Sequence, residues 1–325
     1  MSGENHNLLI HIGYHKCAST WLQKKVFSDE STFKLVSKSG SKEELAKALF
    51  MDAYGCLLNS FDMNQASIEQ KFSEIQDIAE SQNKALVISD ERLSGNPHAG
   101  GFDASIIAKR IAVNFPEAKI LIIIREQKSW ILSNYFQYLS VGGSFGIKKY
   151  LFTKYDGKIS FFSPNHIKYH YLIEHYIELF GSENVLILPY ELLQEDADLF
   201  TNQICSLCSK PNINSSIDYS SRRNVTKNLF VNHYLRFFNP FIIKSSVNNY
   251  SSLYSRPTSI LLKLLRRGLY FLTPKLLDVW LMNRMKRTIE RWAGNRYVYS
   301  NSLTQQYVDM DLKIYGYKID ERHER

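Results

Sequence analysis

Short apolar runs alternate with longer periodic segments through the first two thirds of the chain. Leu8–Ile12, Ala85–Ser89, Lys119–Ile124 and Val185–Leu188 are rich in Leu, Ile and Val with little alternation, and Phe33–Ser37 is a weaker run of the same kind. Strands of a parallel sheet covered on both faces read this way, because side chains on either face are buried. Between these runs, Trp21–Phe27, Ser67–Gln82, Asp103–Asn114, Ser129–Ser140 and His166–Phe180 carry helical spacing. Asp103 and Ser129 stand at cap positions, and Pro116 and Pro164 mark boundaries. The alternation predicts an α/β fold with right-handed crossovers: helices flanking a central parallel sheet of about five strands in three layers, α/β/α.

After about Pro211 the character changes to Asn- and Ser-rich stretches, then basic helical segments, then an aromatic, polar tail near Tyr315-Gly-Tyr317. The expected organisation is one domain over 1–325, with an α/β core over 1–210 and a basic helical elaboration over 211–325. No internal repeat is present. Within the elaboration, apolar residues at 260, 261, 264, 265, 269 and 272 form one helical stripe, interrupted in sequence by Lys263, Arg266 and Arg267. Such a helix fits an anionic membrane interface. The commoner arrangement, a helix packed on the core with its charged side in water, is the expectation here.

Charge sharpens the contrast between the two regions. The chain carries a formal +8, and residues 236–296 hold 12 Lys or Arg against Asp278 and Glu290, so the remainder is slightly acidic. A basic lobe on a near-neutral body implies an anionic partner. No zinc-finger, RNA-recognition or helix-turn-helix signature supplies a mode of reading bases, which argues against nucleic acid. No run of 18 apolar residues occurs, and the first residues lack a basic leader, so the expectation is a cytoplasmic protein with peripheral membrane contact at most. Cys205 and Cys208 form a lone C-x-x-C that reads as two buried thiols rather than a zinc site. His166 and His170, spaced i, i+4, lack the glutamate of a metalloprotease helix, since Ile167 stands there.

The candidate chemistry begins at the first strand. Gly13-Tyr-His-Lys16-Cys17-Ala18-Ser19-Thr20-Trp21 leads from a strand into a helix, a geometry that presents backbone N–H groups and a helix dipole to an anion. A nucleoside-triphosphatase loop would place lysine directly before the hydroxyl residue, and here it stands two residues too early. The spacing K-x-x-S-T-W instead resembles the 5′-phosphosulfate loop of sulfotransferases that use 3′-phosphoadenylyl sulfate (PAPS), where the residue matching Ala18 is usually glycine. A second match follows the strand Lys119–Ile124: Arg125, with Ser133 eight residues on, resembles the 3′-phosphate site of the same family. A planar guanidinium at a strand end suits a phosphate, and a serine two helical turns later returns to the same side.

The resemblance spans roughly residues 7 to 225 and implies a P-loop-like fold and sulfuryl transfer from PAPS, chemistry that requires no metal. It implies Lys16 on the leaving-group side, and Ser19, Thr20 and the loop residues Cys17, Ala18 and Trp21 around the 5′-phosphate. Arg222, Arg223 and Asn224 resemble a late loop that closes over the donor. For the base that takes the acceptor's proton, the stretch Asp90-Glu91-Arg92 after the strand Ala85–Ser89 is the place. Glycan-directed members use a glutamate in this region and small-molecule members a histidine. Glu91 is the first candidate, Asp90 the second and His98 the third, while a structural pairing of Glu91 with Arg92 or Arg125 stays open. The acceptor expected is a carbohydrate hydroxyl, of a polysaccharide or glycolipid, with Tyr135, Phe136, Tyr138, Tyr150 and Phe152 available to stack on sugar rings. Two other classes remain: a nucleotide or sugar kinase with a variant phosphate loop, and a non-catalytic peripheral membrane protein on the same fold.

Overall fold

A computed structural model of the chain describes residues 7–36, 49, 72–73, 77, 79–152, 161–213, 229–245, 247–248, 255, 257, 260–261, 264–265, 268–269 and 273–320. Five parallel strands form one sheet: β1 (Leu8–Gly13), β2 (Phe33–Val36), β3 (Ala85–Ser89), β4 (Lys119–Ile124) and β5 (Val185–Pro189), in the order β2-β3-β1-β4-β5. The continuous apolar runs have the burial they predict, since every residue of β1 and β3 is buried on whichever face it points to. Register is tight across the centre, with Ile10 beside Ile88 on one side and Ile120 on the other. The chain fills the β2 side first and then crosses β1 to build β4 and β5. The strand order therefore reverses beside β1, where open α/β sheets leave a crevice at the carboxyl ends of the strands.

Helices α1 (Ser19–Lys25), α2 (Ala104–Asn114), α3 (Gln127–Ser140), α4 (Ile147–Phe152), α5 (His170–Phe180), α6 (Tyr190–Glu195) and α7 (Ala197–Leu207) accompany the sheet. Two expected helix starts are corrected. Ser129 lies inside α3, because Glu126 is the cap, its carboxylate accepting from the N–H groups of Lys128 and Ser129 at 3.0 and 2.9 Å. Asp103 precedes α2 without capping it, because its carboxylate is taken by Arg92 and by the N–H of Asn96. The segment from His166 also splits: Pro164–Ile167 is a single 3₁₀ turn, Lys168 leaves helical geometry at ψ 81°, and α5 begins at His170. The expected helix Ser67–Gln82 falls mostly outside the described residues. Cys205 and Cys208 are buried free thiols, both raised by burial, Cys208 to about 12.

Beyond α8 (Leu229–Leu235) and α9 (Asn239–Ile242), the long helix α10 (Lys275–Ala293) buries Leu281, Met285, Ile289 and Trp292 along one stripe. With α11 (Val298–Gln305) and the tail, it joins the same core as the sheet, through Trp292, Tyr297, Leu312 and Tyr317. The stretch expected to pack through its leucines does not. Every described position from 257 to 269 is helical and exposed, so its apolar side faces solvent.

A second correction concerns the aromatic residues offered for stacking. Tyr135, Phe136, Tyr138 and Tyr150 are buried and only Phe152 is exposed. The α3 tyrosines point inward: Tyr135 donates to the Phe145 carbonyl at 3.1 Å, and the Tyr138 hydroxyl accepts from the N–H groups of Ser144 and Phe145, both at 3.2 Å. The Tyr150 hydroxyl accepts from Asn134 at 3.0 Å. These rings fix a loop to a helix.

Candidate active site

The carboxyl ends of β1, β3, β4 and β5 each deliver a polar group to one region. The loop after β1 closes tightly: a Cβ on Gly13 would fall 2.6 Å from His11 Nε2 and 2.8 Å from Ser19 Oγ, so only glycine lets the chain turn there. Lys16 and Ala18 both adopt left-handed backbone geometry, at φ 67° and 65°. Ala18 is the residue before α1, which explains why glycine suits this position: a Cβ in that conformation costs about 1–2 kcal/mol. Replacing Ala18 with glycine is expected to stabilise the fold by up to about 1 kcal/mol, after the greater freedom of glycine in the unfolded chain is offset. Urea unfolding of the two proteins measures it; a loss of stability would show that the loop is not strained.

The hydroxyl of Ser19, the first residue of α1, is buried and has no hydrogen-bond partner among the described residues. The Nε of Arg125 is in the same condition. Buried donors left unpaired cost roughly 1–3 kcal/mol each, so both fit an anion that would accept from them. Thr20 and Lys16 are exposed, Trp21 and Ala18 are half-buried, and Cys17 is buried with its thiol raised by that burial.

Arg125 follows β4, the neighbour of β1, and its Nη1 donates to the carbonyl of Lys16 at 2.9 Å. The two motifs, more than a hundred residues apart in sequence, thus meet directly. Three groups that sequence reasoning did not single out hold Arg125 in place. Tyr169 donates to its carbonyl at 2.5 Å, and the Tyr190 ring lies 4.7 Å beneath its guanidinium. Glu191, at the end of β5, accepts from the Glu126 N–H at 3.0 Å and from the Tyr317 hydroxyl at 3.3 Å. Burial raises the Glu191 carboxyl, while its hydrogen bonds and Arg125 pull the other way. No signal local to Tyr169, Tyr190 or Glu191 in the sequence marks them, because each meets Arg125 or its neighbour from a distant element. Ser133 is half-buried on α3, two turns beyond Arg125.

The turn after β3 separates the three candidate bases. Asp90 caps the 3₁₀ turn Glu91–Ser94, accepting from the Arg92 N–H at 2.9 Å. Arg92 pairs with Asp103. The Glu91 carboxylate makes no hydrogen bond or ion pair among the described residues. It acts on Lys16 through space: desolvation in the loop lowers the Lys16 ammonium, Glu91 raises it and Arg125 lowers it again. The same turn packs on the first loop, where Ser94 donates to the Gly13 carbonyl at 3.4 Å. His98, in the turn Pro97–Ala99, has both ring nitrogens shielded without a partner among the described residues. Burial, with Lys16 nearby, lowers His98 to about 4, so its imidazole is neutral at pH 7. The arrangement brings two cationic loops together, with the Glu91 carboxylate, unpaired among the described residues, and a neutral imidazole near them. Arg222, Arg223 and Asn224 lie outside the described residues.

A family model described as "Sulfotransferase domain" matches residues 7–253. Solved structures similar to the chain include a sulfotransferase from Alicyclobacillus acidocaldarius, 16% identical over 69% of this chain and 88% of that one, with a TM-score of 0.48. The sulfotransferase domain from the curacin biosynthetic pathway is 17% identical over 63% and 74%, with a TM-score of 0.35. Mouse sulfotransferase SULT7A1 complexed with PAP is 14% identical over 94% and 90%, with a TM-score of 0.39. No curated protein sequence matches the chain significantly.

Proposed function

Since the chain belongs to the sulfotransferase domain family, we propose that it moves a sulfuryl group from PAPS to a carbohydrate hydroxyl, of a polysaccharide or glycolipid. The observation that carries this reading is the bond from Arg125 to the Lys16 carbonyl, which joins the two anion-binding motifs into one cradle. PAPS supplies an activated sulfuryl group on a phosphate leaving group. Lys16, Ser19, Thr20 and the amides of Cys17, Ala18 and Trp21 would hold the 5′ end, with Lys16 neutralising charge that develops on the leaving phosphate oxygen. Arg125 and Ser133 would hold the 3′-phosphate, and Arg222, Arg223 and Asn224 would close over the nucleotide.

Glu91 takes the acceptor's proton as the acceptor oxygen bonds to sulfur and the bond from sulfur to the phosphate oxygen breaks. That it makes no hydrogen bond or ion pair among the described residues supports the role, whereas Asp90 is committed to its turn. His98 is the second candidate, because a neutral imidazole with no hydrogen bond among the described residues can also accept a proton. The carbohydrate rests on the strand-end glutamate; with four of the five aromatic rings buried, stacking on sugars does not support it. Free buried thiols at Cys17, Cys205 and Cys208 suit the reducing cytoplasm.

Thermal unfolding with adenosine 3′,5′-bisphosphate tests the reading. At about a hundred times its dissociation constant, a ligand specific to the folded state adds about 2.7 kcal/mol. The expected result is a raised midpoint that disappears in Lys16→Ala and in Arg125→Ala. No shift with the bisphosphate sinks the reading, and a shift with magnesium-ATP alone assigns a kinase instead.

A further inference from the structure

Exposed apolar residues are dense between 260 and 280, beyond the exposed Phe237, Phe238 and Phe241. Ile260, Leu261, Leu264, Leu265 and Leu269 are helical and 40 to 59% exposed, and they repeat with the i, i+4 spacing of a single helix side. Pro274 follows, and α10 then opens with Leu276, Val279 and Trp280, also exposed. These three are surplus to the packing of α10, whose own inward stripe from Leu281 to Trp292 is already buried.

Charge identifies what would cover this face. Residues 236–296 hold 12 cations and two acids. One of those acids, Asp278, is engaged by the Phe230 N–H at 2.8 Å. Lys275, Arg284, Lys286, Arg287 and Arg291 are exposed on α10, and the Arg284 guanidinium lies 5.4 Å from the Trp280 ring centre. A second copy of the chain would bring two strongly cationic segments together. A nucleic acid would satisfy the cations and leave the leucines in water. An anionic bilayer answers both features, with phosphates for the arginines and the acyl boundary for the leucines. No helix among the described residues is long and apolar enough to cross a membrane.

We infer that the exposed side formed by Ile260, Leu261, Leu264, Leu265, Leu269, Leu276, Val279 and Trp280 lies at the headgroup boundary of an anionic membrane, with the cations of α10 on lipid phosphates. The inference does not depend on the donor or the acceptor. The full chain is tested by co-sedimentation with vesicles of phosphatidylcholine, alone or mixed with phosphatidylglycerol. Binding is expected only to the mixed vesicles, weakening as salt is raised. The double substitution Leu261→Asp with Leu265→Asp is expected to weaken binding roughly tenfold or more. Both sites face solvent, so the thermal midpoint should hold. Arg284→Glu with Arg287→Glu, again at exposed sites, is expected to weaken binding to the mixed vesicles and flatten its salt dependence. Failure to bind either vesicle, or equal binding by the leucine variant, overturns the inference. So does a dimer in sedimentation equilibrium that the leucine substitutions dissociate, or capture of duplex DNA in place of lipid.

Discussion

Glu91→Gln is expected to slow sulfuryl transfer by about a hundredfold to ten-thousandfold while leaving the thermal shift with adenosine 3′,5′-bisphosphate intact. The substitution keeps the shape of the side chain and removes its capacity to accept a proton at neutral pH. It should not disturb the turn, which is held by Asp90 and by the Ser94 hydroxyl bond to the Glu91 backbone carbonyl at 2.8 Å. The effect therefore belongs in kcat, with donor affinity nearly unchanged. Asp90→Asn is the contrasting variant, because an asparagine oxygen still caps the turn, and it should retain turnover. Steady-state rates for Glu91→Gln and His98→Asn side by side decide the base. If the glutamine variant turns over normally while the asparagine variant does not, the proton goes to His98.

The second large effect is on stability. Gly101→Ala is expected to cost about 3 kcal/mol, because two penalties coincide there. Gly101 sits at φ 66°, and a Cβ on it would lie 1.9 Å from His166 Nδ1 and 2.6 Å from its Cε1. His166 has nowhere to retreat. Its ring packs 5.1 Å from that of Tyr14 and 5.7 Å from that of Trp130. Burial lowers His166 to about 4, with Asp103 opposing and Arg92 and His98 adding to the shift. The damage should reach the loop after β1 through Tyr14, so, on the proposed function, bisphosphate affinity should fall as well. Urea denaturation measures the first effect, and a midpoint equal to that of the parent protein would refute the steric argument.

Much of the sheet and of where its loops lie could be read from the chain because it rests on local rules. A buried parallel strand has to be an apolar run, and an anion loop at its end has to carry small residues, hydroxyls and a lysine in fixed order. The positions of Lys16, Ser19, Thr20 and Arg125 just beyond strand ends follow from such rules, while the roles proposed for them come from the resemblance to sulfotransferases. What holds them was not legible, because it depends on distant partners. Nothing near Tyr169, Tyr190 or Tyr317 in sequence tells that each supports Arg125 or the carboxylate behind it. The aromatic residues of α3 were misread for the same reason: a tyrosine packed in a core and one stacked on a sugar look alike until their hydroxyl partners are known. The leucines at 260–269 reversed the usual expectation, since amphipathic spacing states that a face exists and not what covers it.

The contact between Arg125 and the Lys16 carbonyl has a further consequence. It holds two like charges close together by way of a neutral oxygen; burial lowers the Lys16 ammonium, Glu91 opposes that, and the Arg125 charge adds to it. Glu91 offsets part of that repulsion through space, and an anion entering between the two cations would offset more of it. The donor-free protein should for the same reason gain rigidity from simple polyanions such as pyrophosphate, long before any chemistry is asked of it.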